Sequence, residues 1–484
     1  MRTIFFTYGL CLIGLSFFMF FPMLADVSSP THEWNVFALS QFFCFFLGGL
    51  MVFSSRSGHY TLRIRDAYLL TVTVWVGLSL FSALPFYFTA AKEYRLNFTD
   101  AVFEAVSGLT TTGSTVYTHL DAAPHGILLW RSILQWIGGI GIVVFSMTIL
   151  PYLRVGGMQL FRSESSDNSD KILPHVHLIA GATLAVYTGL SLLIVFAYDL
   201  AGMSLFDAVN HAMTTISTGG FSTHDASFGY FKAPLMQWLG TLFMIAGGTP
   251  MMLYISLFVG RKNNSLLLYQ AKAFWIGLTV VSLGLALWLW YTHTGWSFAD
   301  ALRQCVFNVT SVVTTTGFAT TDYTLWGGLS VMAFYFLTIA GGCTGSTSGG
   351  IKIFRFQIVG KALMLELRRL ISPHGVFPRD MGGKPLSYEV VSSVAIFIAM
   401  FCFIFCVLSL ALLLTGLDFT TSLSGAATAL ANVGPGLGEV IGPAGNFTTV
   451  PDAAKWILVA GMLVGRLEIM TVLVLFSGSF WCDV

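Results

Sequence analysis

The sequence predicts an all-α polytopic membrane protein: an N-terminal two-helix hairpin, then four pseudo-repeated units, each an outer helix, a half-helix, a glycine loop and an inner helix, set around one axis. Three observations carry this. The 484 residues are 55% hydrophobic and only 10% charged, with a mean hydropathy of +0.77, more apolar surface than a soluble core can use. A short glycine motif occurs four times, as Thr111-Thr112-Gly113, Ser217-Thr218-Gly219, Thr315-Thr316-Gly317 and Asn432-Val433-Gly434. Each copy follows a short, largely apolar segment opening on an aromatic residue, Phe98, Phe206, Phe298 or Phe419. The copies lie roughly 100 residues apart, room for two spans and a re-entrant loop.

Taken in order, Arg2 precedes an apolar run to Phe21 that is longer than a signal-peptide core and lacks an A-x-A cleavage site, so it reads as a retained span. The hairpin spans are expected at 3–24 and 35–54, joined by the polar turn from Asp26 to Glu33. The four elements of the first unit fall at 67–90, 98–109, 110–115 and 126–150, and those of the second at 176–199, 205–215, 216–221 and 234–258. The third unit gives 272–293, 298–313, 314–319 and 329–350, the fourth 389–415, 419–430, 431–436 and 454–477. Division at 1–66, 67–165, 166–262, 263–384 and 385–484 separates the hairpin from units one to four. Ten spans put both termini on one side. Most of the 24 Lys and Arg residues fall on that side, among them Arg2, Arg56, Arg63, Arg65, Arg154, Arg162, Lys171, Arg261, Lys262, Lys272 and the run from Lys352 to Lys384. The positive-inside rule makes that side cytoplasmic, so the glycine loops open outward.

At membrane depth, irregular backbone survives only where it lines water or is buried in protein. Four such loops on one axis present rings of carbonyl oxygens, which replace the hydration shell of a monovalent cation. Glycine permits the positive φ that turns successive carbonyls inward, and flanking Thr or Ser adds hydroxyl oxygens. Asp100, Glu104, Asp207 and Asp300 lie near the half-helix starts, where they either draw cations to an outer mouth or cap the helices. A net charge of +1 without a basic run gives no nucleic-acid partner. Cys402 and Cys406 share a helix face but read as packing, and no H-E-x-x-H or G-x-S-x-G marks an enzyme.

These four loops, with Ser217-Thr218-Gly219-Gly220-Phe221, Thr315-Thr316-Gly317-Phe318 and Asn432-Val433-Gly434-Pro435-Gly436, resemble the pore loops of the bacterial Trk/Ktr potassium transporter family, in its TrkH/TrkG branch. The likeness covers nearly the whole chain, including the extra initial hairpin. The resemblance implies a potassium uptake pore of the bacterial inner membrane, with potassium as the transported ion and no organic cofactor. It also implies a homodimer, bound by a cytoplasmic, nucleotide-binding TrkA-type regulatory ring. The T-V-G-Y-G string of tetrameric potassium channels is missing, and the fourth loop lacks the hydroxyls.

The third inner element carries Gly341, Gly342, Thr344, Gly345, Ser346, Thr347, Ser348, Gly349 and Gly350. Each interior glycine costs a helix about 1 kcal/mol, and the consecutive run of small and hydroxyl residues favours an intramembrane loop over close helix packing. The resembling family has its gating loop here. Arg466 sits in the fourth inner helix, with Glu468 two residues on and therefore on another face. A mid-bilayer guanidinium costs about 2.5–3.5 kcal/mol and points either into the pore, toward the loop's carbonyls, or down to the cytoplasmic surface. The family match places its barrier arginine here. From Lys352 to Arg369 a basic amphipathic segment suits either membrane lipid or the regulatory ring. His175 and His177 read as surface residues, and the Asn97, Asn308 and Asn446 sequons as chance. The alternative function is a secondary active cation symporter coupled to protons or sodium, which typically shows inverted repeats and a midplane carboxylate.

Overall fold

The computed structural model describes residues 2–27, 33–55, 64–148, 176–259, 265–293, 295–375, 377–378 and 380–482. The described residues are mostly helical, with irregular loops between the helices and one hairpin of two-residue strands, β1 Asp380–Met381 and β2 Lys384–Pro385. Of the basic residues that set the expected orientation, Arg56, Arg63, Arg154, Arg162, Lys171, Arg261, Lys262 and Arg379 lie outside the described residues, as does His175.

Helices α1, Arg2–Val27, and α2, Trp34–Ser54, form the initial hairpin. They cross so closely at Gly9 and Gly48 that a Cβ on either would meet the other's carbonyl oxygen at 2.8 Å. Asp26 near the end of α1 and Glu33 before α2 anchor them to the first unit. Asp26 Oδ1 accepts from Gly126 N at 2.7 Å, and Glu33 accepts from Ala90 N and Ala91 N at 2.9 and 2.7 Å. The outward flank carries exposed aromatics such as Phe17, Phe42 and Phe53.

Unit one comprises α3 Ile64–Ser82, the short α4 Leu84–Phe88, half-helix α5 Phe98–Leu109 and inner helix α6 His125–Thr148. Unit two has α7 Val176–Leu200, half-helix α8 Leu205–Ile216, α9 Pro234–Gly248 and α10 Met251–Val259. Unit three has α11 Ser265–Thr292, half-helix α12 Phe298–Val313, α13 Gly328–Ile339 and the amphipathic α14 Ile353–Ile371. Unit four has α15 Tyr388–Leu414, half-helix α16 Phe419–Ala431, α17 Asp452–Arg466 and α18 Ile469–Leu473.

The half-helices start alike because their sequences cap alike. Asn97, Ser204, Ser297 and Asp418 accept from the backbone N–H three residues on, at 2.8, 3.1, 3.1 and 3.0 Å, and so satisfy an orphan donor of the first turn. A 12-residue helix such as α5 is about 18 Å long, half a bilayer, and its buried end must be met by protein. That contact is made by glycines. A Cβ at Gly138 would lie 1.8 Å from Leu109 O, at Gly465 2.0 Å from Leu430 O, and at Gly247 3.0 Å from Ile216 O, so three inner helices press backbone against the end of their own unit's half-helix.

Ten uninterrupted spans are not what forms. Among the described residues seven helices are long and apolar enough to cross a membrane, nine when each of two bent pairs counts once. The inner helices expected at 234–258 and 454–477 are broken, by 91° between α9 and α10 and by 108° between α17 and α18. Pro250 cannot donate a helix bond and drives Thr249 into extended backbone, whereas the second break passes through Glu468 at φ +62°. The remaining expected span that departs, 329–350, is a 12-residue helix followed by irregular backbone over 340–352.

Replacing Gly138 with Ala should destabilise the protein by about 1–3 kcal/mol, because the contacted atom is backbone and cannot rotate away. Chemical denaturation in detergent reads this, and a ΔΔG near zero would show that α5 and α6 separate freely.

Candidate functional site

Each half-helix ends on a residue with left-handed backbone: Thr111 at φ 52°, Thr218 at 50°, Thr315 at 57° and Asn432 at 55°. Two residues further stand Gly113 (88°), Gly220 (77°), Gly317 (83°) and Gly434 (107°). The intervening N–H, of Thr112, Gly219, Thr316 or Val433, returns to the carbonyl five residues earlier in every copy, at 2.8, 2.9, 2.8 and 3.1 Å. This fixes the register of the repeat. The second loop is Thr218-Gly219-Gly220, one residue later than Ser217-Thr218-Gly219. Ser217 is the helix C-cap, equivalent to Thr110 and Thr314. The sequence hides the shift because the second loop has two adjacent glycines.

The glycines close a ring. A Cβ at Gly113 would lie 2.2 Å from Gly219 O, at Gly220 1.8 Å from Thr316 O, at Gly317 2.1 Å from Val433 O and at Gly434 2.7 Å from Thr112 O. Loop one therefore abuts loop two, two abuts three, three abuts four and four abuts one. Side chains reinforce the same order: Ser114 Oγ donates to Gly434 O at 2.9 Å and Asn432 Nδ2 to Thr112 Oγ1 at 3.0 Å. Gln135 braces the second loop, donating to Gly219 O at 2.6 Å and accepting from Phe221 N at 3.1 Å.

The 340–352 segment lies directly beneath this ring. Its backbone closes on itself through Gly341 N to Ile351 O, 2.9 Å, and Ile351 N to Ile339 O, 3.0 Å. It is tied to the α9–α10 break by Cys343 N to Gly248 O, 3.0 Å, and Met251 N to Gly345 O, 2.9 Å. Thr347 Oγ1 donates to Ile216 O at 3.0 Å and meets Thr218 Oγ1 at 3.2 Å. Gly349 N donates to Thr315 Oγ1 at 2.7 Å, and a Cβ on Gly349 would meet Ala431 O at 2.2 Å. Thr344 is held by Gln270, and Ser346 and Ser348 share a hydroxyl contact at 2.7 Å. Arg466 is buried and donates through Nη1 to Thr347 O at 2.9 Å, with Nη2 3.5 Å from Gly138 O. Of the two directions open to this guanidinium, it takes the one toward the loop. The Lys352 ammonium adds a bond to Ser348 O. Gly342 and Gly350 sit at the loop's neck, against Ser348 and Gly341.

Four similarities fix the kinship. The profile of the TrkH cation transport protein family matches residues 33–482. The chain belongs to the TrkH cation transport family. It is 47% identical over 468 residues to the Trk system potassium uptake protein TrkI of Halomonas elongata, covering 96% of this chain and 94% of that one. It is 37% identical over 476 residues to the Trk system potassium uptake protein TrkH of Escherichia coli K12, covering 98% of both. The crystal structure of the potassium transporter TrkH from Vibrio parahaemolyticus superposes with a TM-score of 0.90 at 35% identity over 99% of both chains.

Within this TrkH-family frame, the carboxylates near the half-helix starts are all engaged. Asp100 pairs with Lys455 at 2.6 Å, Asp300 with Arg303 at 2.7 Å, and Asp207 accepts from Thr223 Oγ1 at 2.7 Å. Glu104 lies deeper, buried behind the first loop, where it accepts from Arg131 Nε at 2.7 Å and Val116 N at 3.0 Å. Arg131 also donates to Ser222 O at 2.9 Å and stacks on Phe221, 4.1 Å from its ring centre, joining units one and two. Glu468 pairs at 2.8 Å with Arg355 of α14. Arg355 is therefore a buried residue, over the Phe397 ring at 3.6 Å, and not part of a wholly interfacial basic face. Sequence reading does not single out Arg131 or Gln135 for a site role, and it takes Lys352 and Arg355 only as members of the basic segment. For Arg131 and Gln135, a charge and an amide inside an apolar helix were the available signal.

At the outer mouth, His224 Nδ1 meets Asp121 Oδ1 at 2.5 Å, with Nε2 3.5 Å from Asp207 Oδ1. Tyr230 stacks on the ring at 3.5 Å, His211 lies 6.4 Å away, and Asp225 N contacts Asp121 at 3.4 Å. Burial opposes the charged imidazole, but Asp207 and Asp121 outweigh it and raise His224 above its ordinary value of 6.5. A raised folded value contributes stability that is fully present below 6.5 and lost as pH rises through the folded value.

Thermal unfolding should accordingly lose stability as pH climbs from about 6.5 upward, and His224→Gln should flatten that slope; an unchanged slope would remove His224 from the balance. Arg131→Met should cost about 3–5 kcal/mol by stranding the Glu104 carboxylate. Adding Glu104→Leu should recover most of that loss, and a double variant as unstable as the single one would refute the pairing.

Proposed function

We propose that this chain is a potassium uptake pore of the bacterial cytoplasmic membrane, with units 67–165, 166–262, 263–384 and 385–484 surrounding one path and both termini in the cytoplasm. The cyclic closure of four loops, each glycine against the next loop's carbonyl, is the observation that carries it. Carbonyl oxygens of Thr111, Thr112 and Gly113 and their counterparts in Thr218-Gly219-Gly220, Thr315-Thr316-Gly317 and Asn432-Val433-Gly434 replace the ion's hydration shell. The names of the Halomonas and Escherichia relatives, both potassium uptake proteins, support the choice of ion.

The 340–352 loop and Arg466 form one barrier beneath this filter. The guanidinium opposes a cation on the axis and ties Thr347 O to the fourth inner helix. Opening requires Arg466 to release the loop, and a TrkA-type cytoplasmic ring acting on a homodimer is the partner proposed to drive it. Proton-coupled symport typically uses an intramembrane carboxylate free to bind the coupling ion. Glu468, the nearest such group, is paired to Arg355, which favours the channel-like reading.

Three outcomes test this. In a strain lacking potassium uptake, the chain with its cytoplasmic partner should restore growth at low external potassium, and failure despite normal membrane levels would refute the assignment. Arg466→Ala should raise cation flux into vesicles, whereas unchanged or lower flux would exclude it from the barrier. Gly113→Ser should damage selectivity more than Thr112→Val, since φ 88° and the contact at 2.2 Å leave no room for a side chain; the reverse order would shift selectivity to the hydroxyls.

A further inference from the structure

A cavity of about 530 Å³ opens sideways between α9, α11 and α12, at the seam of units two and three. Ala246, Leu278 and Val306 line it, and its mouth lies among Leu242, Trp275 and Leu283, which are 58%, 39% and 40% exposed on membrane-spanning helices. In the bilayer those faces meet hydrocarbon, so the cavity is continuous with the acyl region. Its inner wall is the α9–α10 break: Trp275 Nε1 reaches Thr249 Oγ1 at 3.4 Å, and Tyr254 donates to Ala246 O at 2.9 Å. The exposed Lys272 stands on the α11 face that continues through Trp275, Thr279 and Leu283, residues spaced so as to share one side of a helix. From Lys272 to Leu283 the rise is about 16 Å, close to half of a hydrocarbon core of about 30 Å.

We propose that this cavity is a binding site for one anionic phospholipid, its phosphate on Lys272 and one acyl chain running along α11 into the space behind Thr249. The ammonium and the apolar walls recognise different ends of the same molecule, and their separation matches half a bilayer. The site borders the hinge whose neighbouring carbonyls, Gly247 O and Gly248 O, hold the 340–352 loop, so an occupant packs against the loop's support.

The test uses the full chain in phosphatidylethanolamine vesicles containing a photoreactive phosphatidylglycerol with a mid-chain diazirine, crosslinks being mapped by peptide mass spectrometry. Crosslinks should concentrate on the cavity walls of α9, α11 and α12. Thr279→Trp, which fills the mouth, should abolish them there, while Thr279→Ala should label as the natural protein does. Lys272→Gln should reduce phosphatidylglycerol labelling about fivefold, the value of one lysine near a membrane surface, and reduce labelling by a phosphatidylcholine analogue, whose choline offsets the phosphate, by less. Even labelling around all lipid-facing helices, insensitivity to Thr279→Trp, or protection of this face by a second copy of the chain would each overturn the proposal.

Discussion

The contact between Arg466 and Thr347 O is the constraint on which the centre of this molecule depends. A guanidinium inside the bilayer and a stretch of backbone with no helical partners are each costly alone. Together they satisfy one another, at 2.9 Å. The same threonine reaches the second half-helix and its glycine loop through its hydroxyl, so one residue joins three of the four units. The loop's other bonds, to Gly248, Gln270 and Thr315, explain why such irregular backbone holds a defined shape.

Above the loop, the ring rests on backbone conformations that most residues avoid. Thr111, Thr218 and Thr315 are β-branched and still adopt left-handed backbone, which is unusual for such residues and persists only where surroundings over-determine it. Those surroundings are visible in the N–H that returns five residues, in the inner-helix glycines and in the neighbouring loop's carbonyl. Asn432 takes the left-handed position more readily, and its amide, bonded to Thr112 and to Met462 O, ties the fourth loop to the first where a threonine hydroxyl is missing.

Around this centre, buried and partly buried ion pairs join units rather than merely filling them. Glu104 with Arg131 holds the first loop and reaches the second, Lys455 with Asp100 links unit four to unit one, and Arg355 with Glu468 links α14 to the break in the last inner helix. Breaking such a pair costs more than the pair itself contributes, which makes each a strict determinant of how the units sit.

The sequence by itself determined the class, the fourfold repeat and the irregular loop, because these are written in local chemistry: hydropathy, a recurring glycine motif, and consecutive glycines and hydroxyls; it offered caps at Asp100, Asp207 and Asp300, whereas the capping side chains are Asn97, Ser204 and Ser297. It also placed Arg466 as an anomaly requiring a partner. Only the tertiary structure decided which partner, since Thr347 is 119 residues away. It likewise decided that Glu104 is a buried ion pair rather than a mouth charge, that the second loop is read as Thr218-Gly219-Gly220, and that two inner helices break at Thr249-Pro250 and at Glu468. Each of these turns on what lies opposite in space, a carbonyl, a charge or a neighbouring loop, and the units that supply it are distant in the chain.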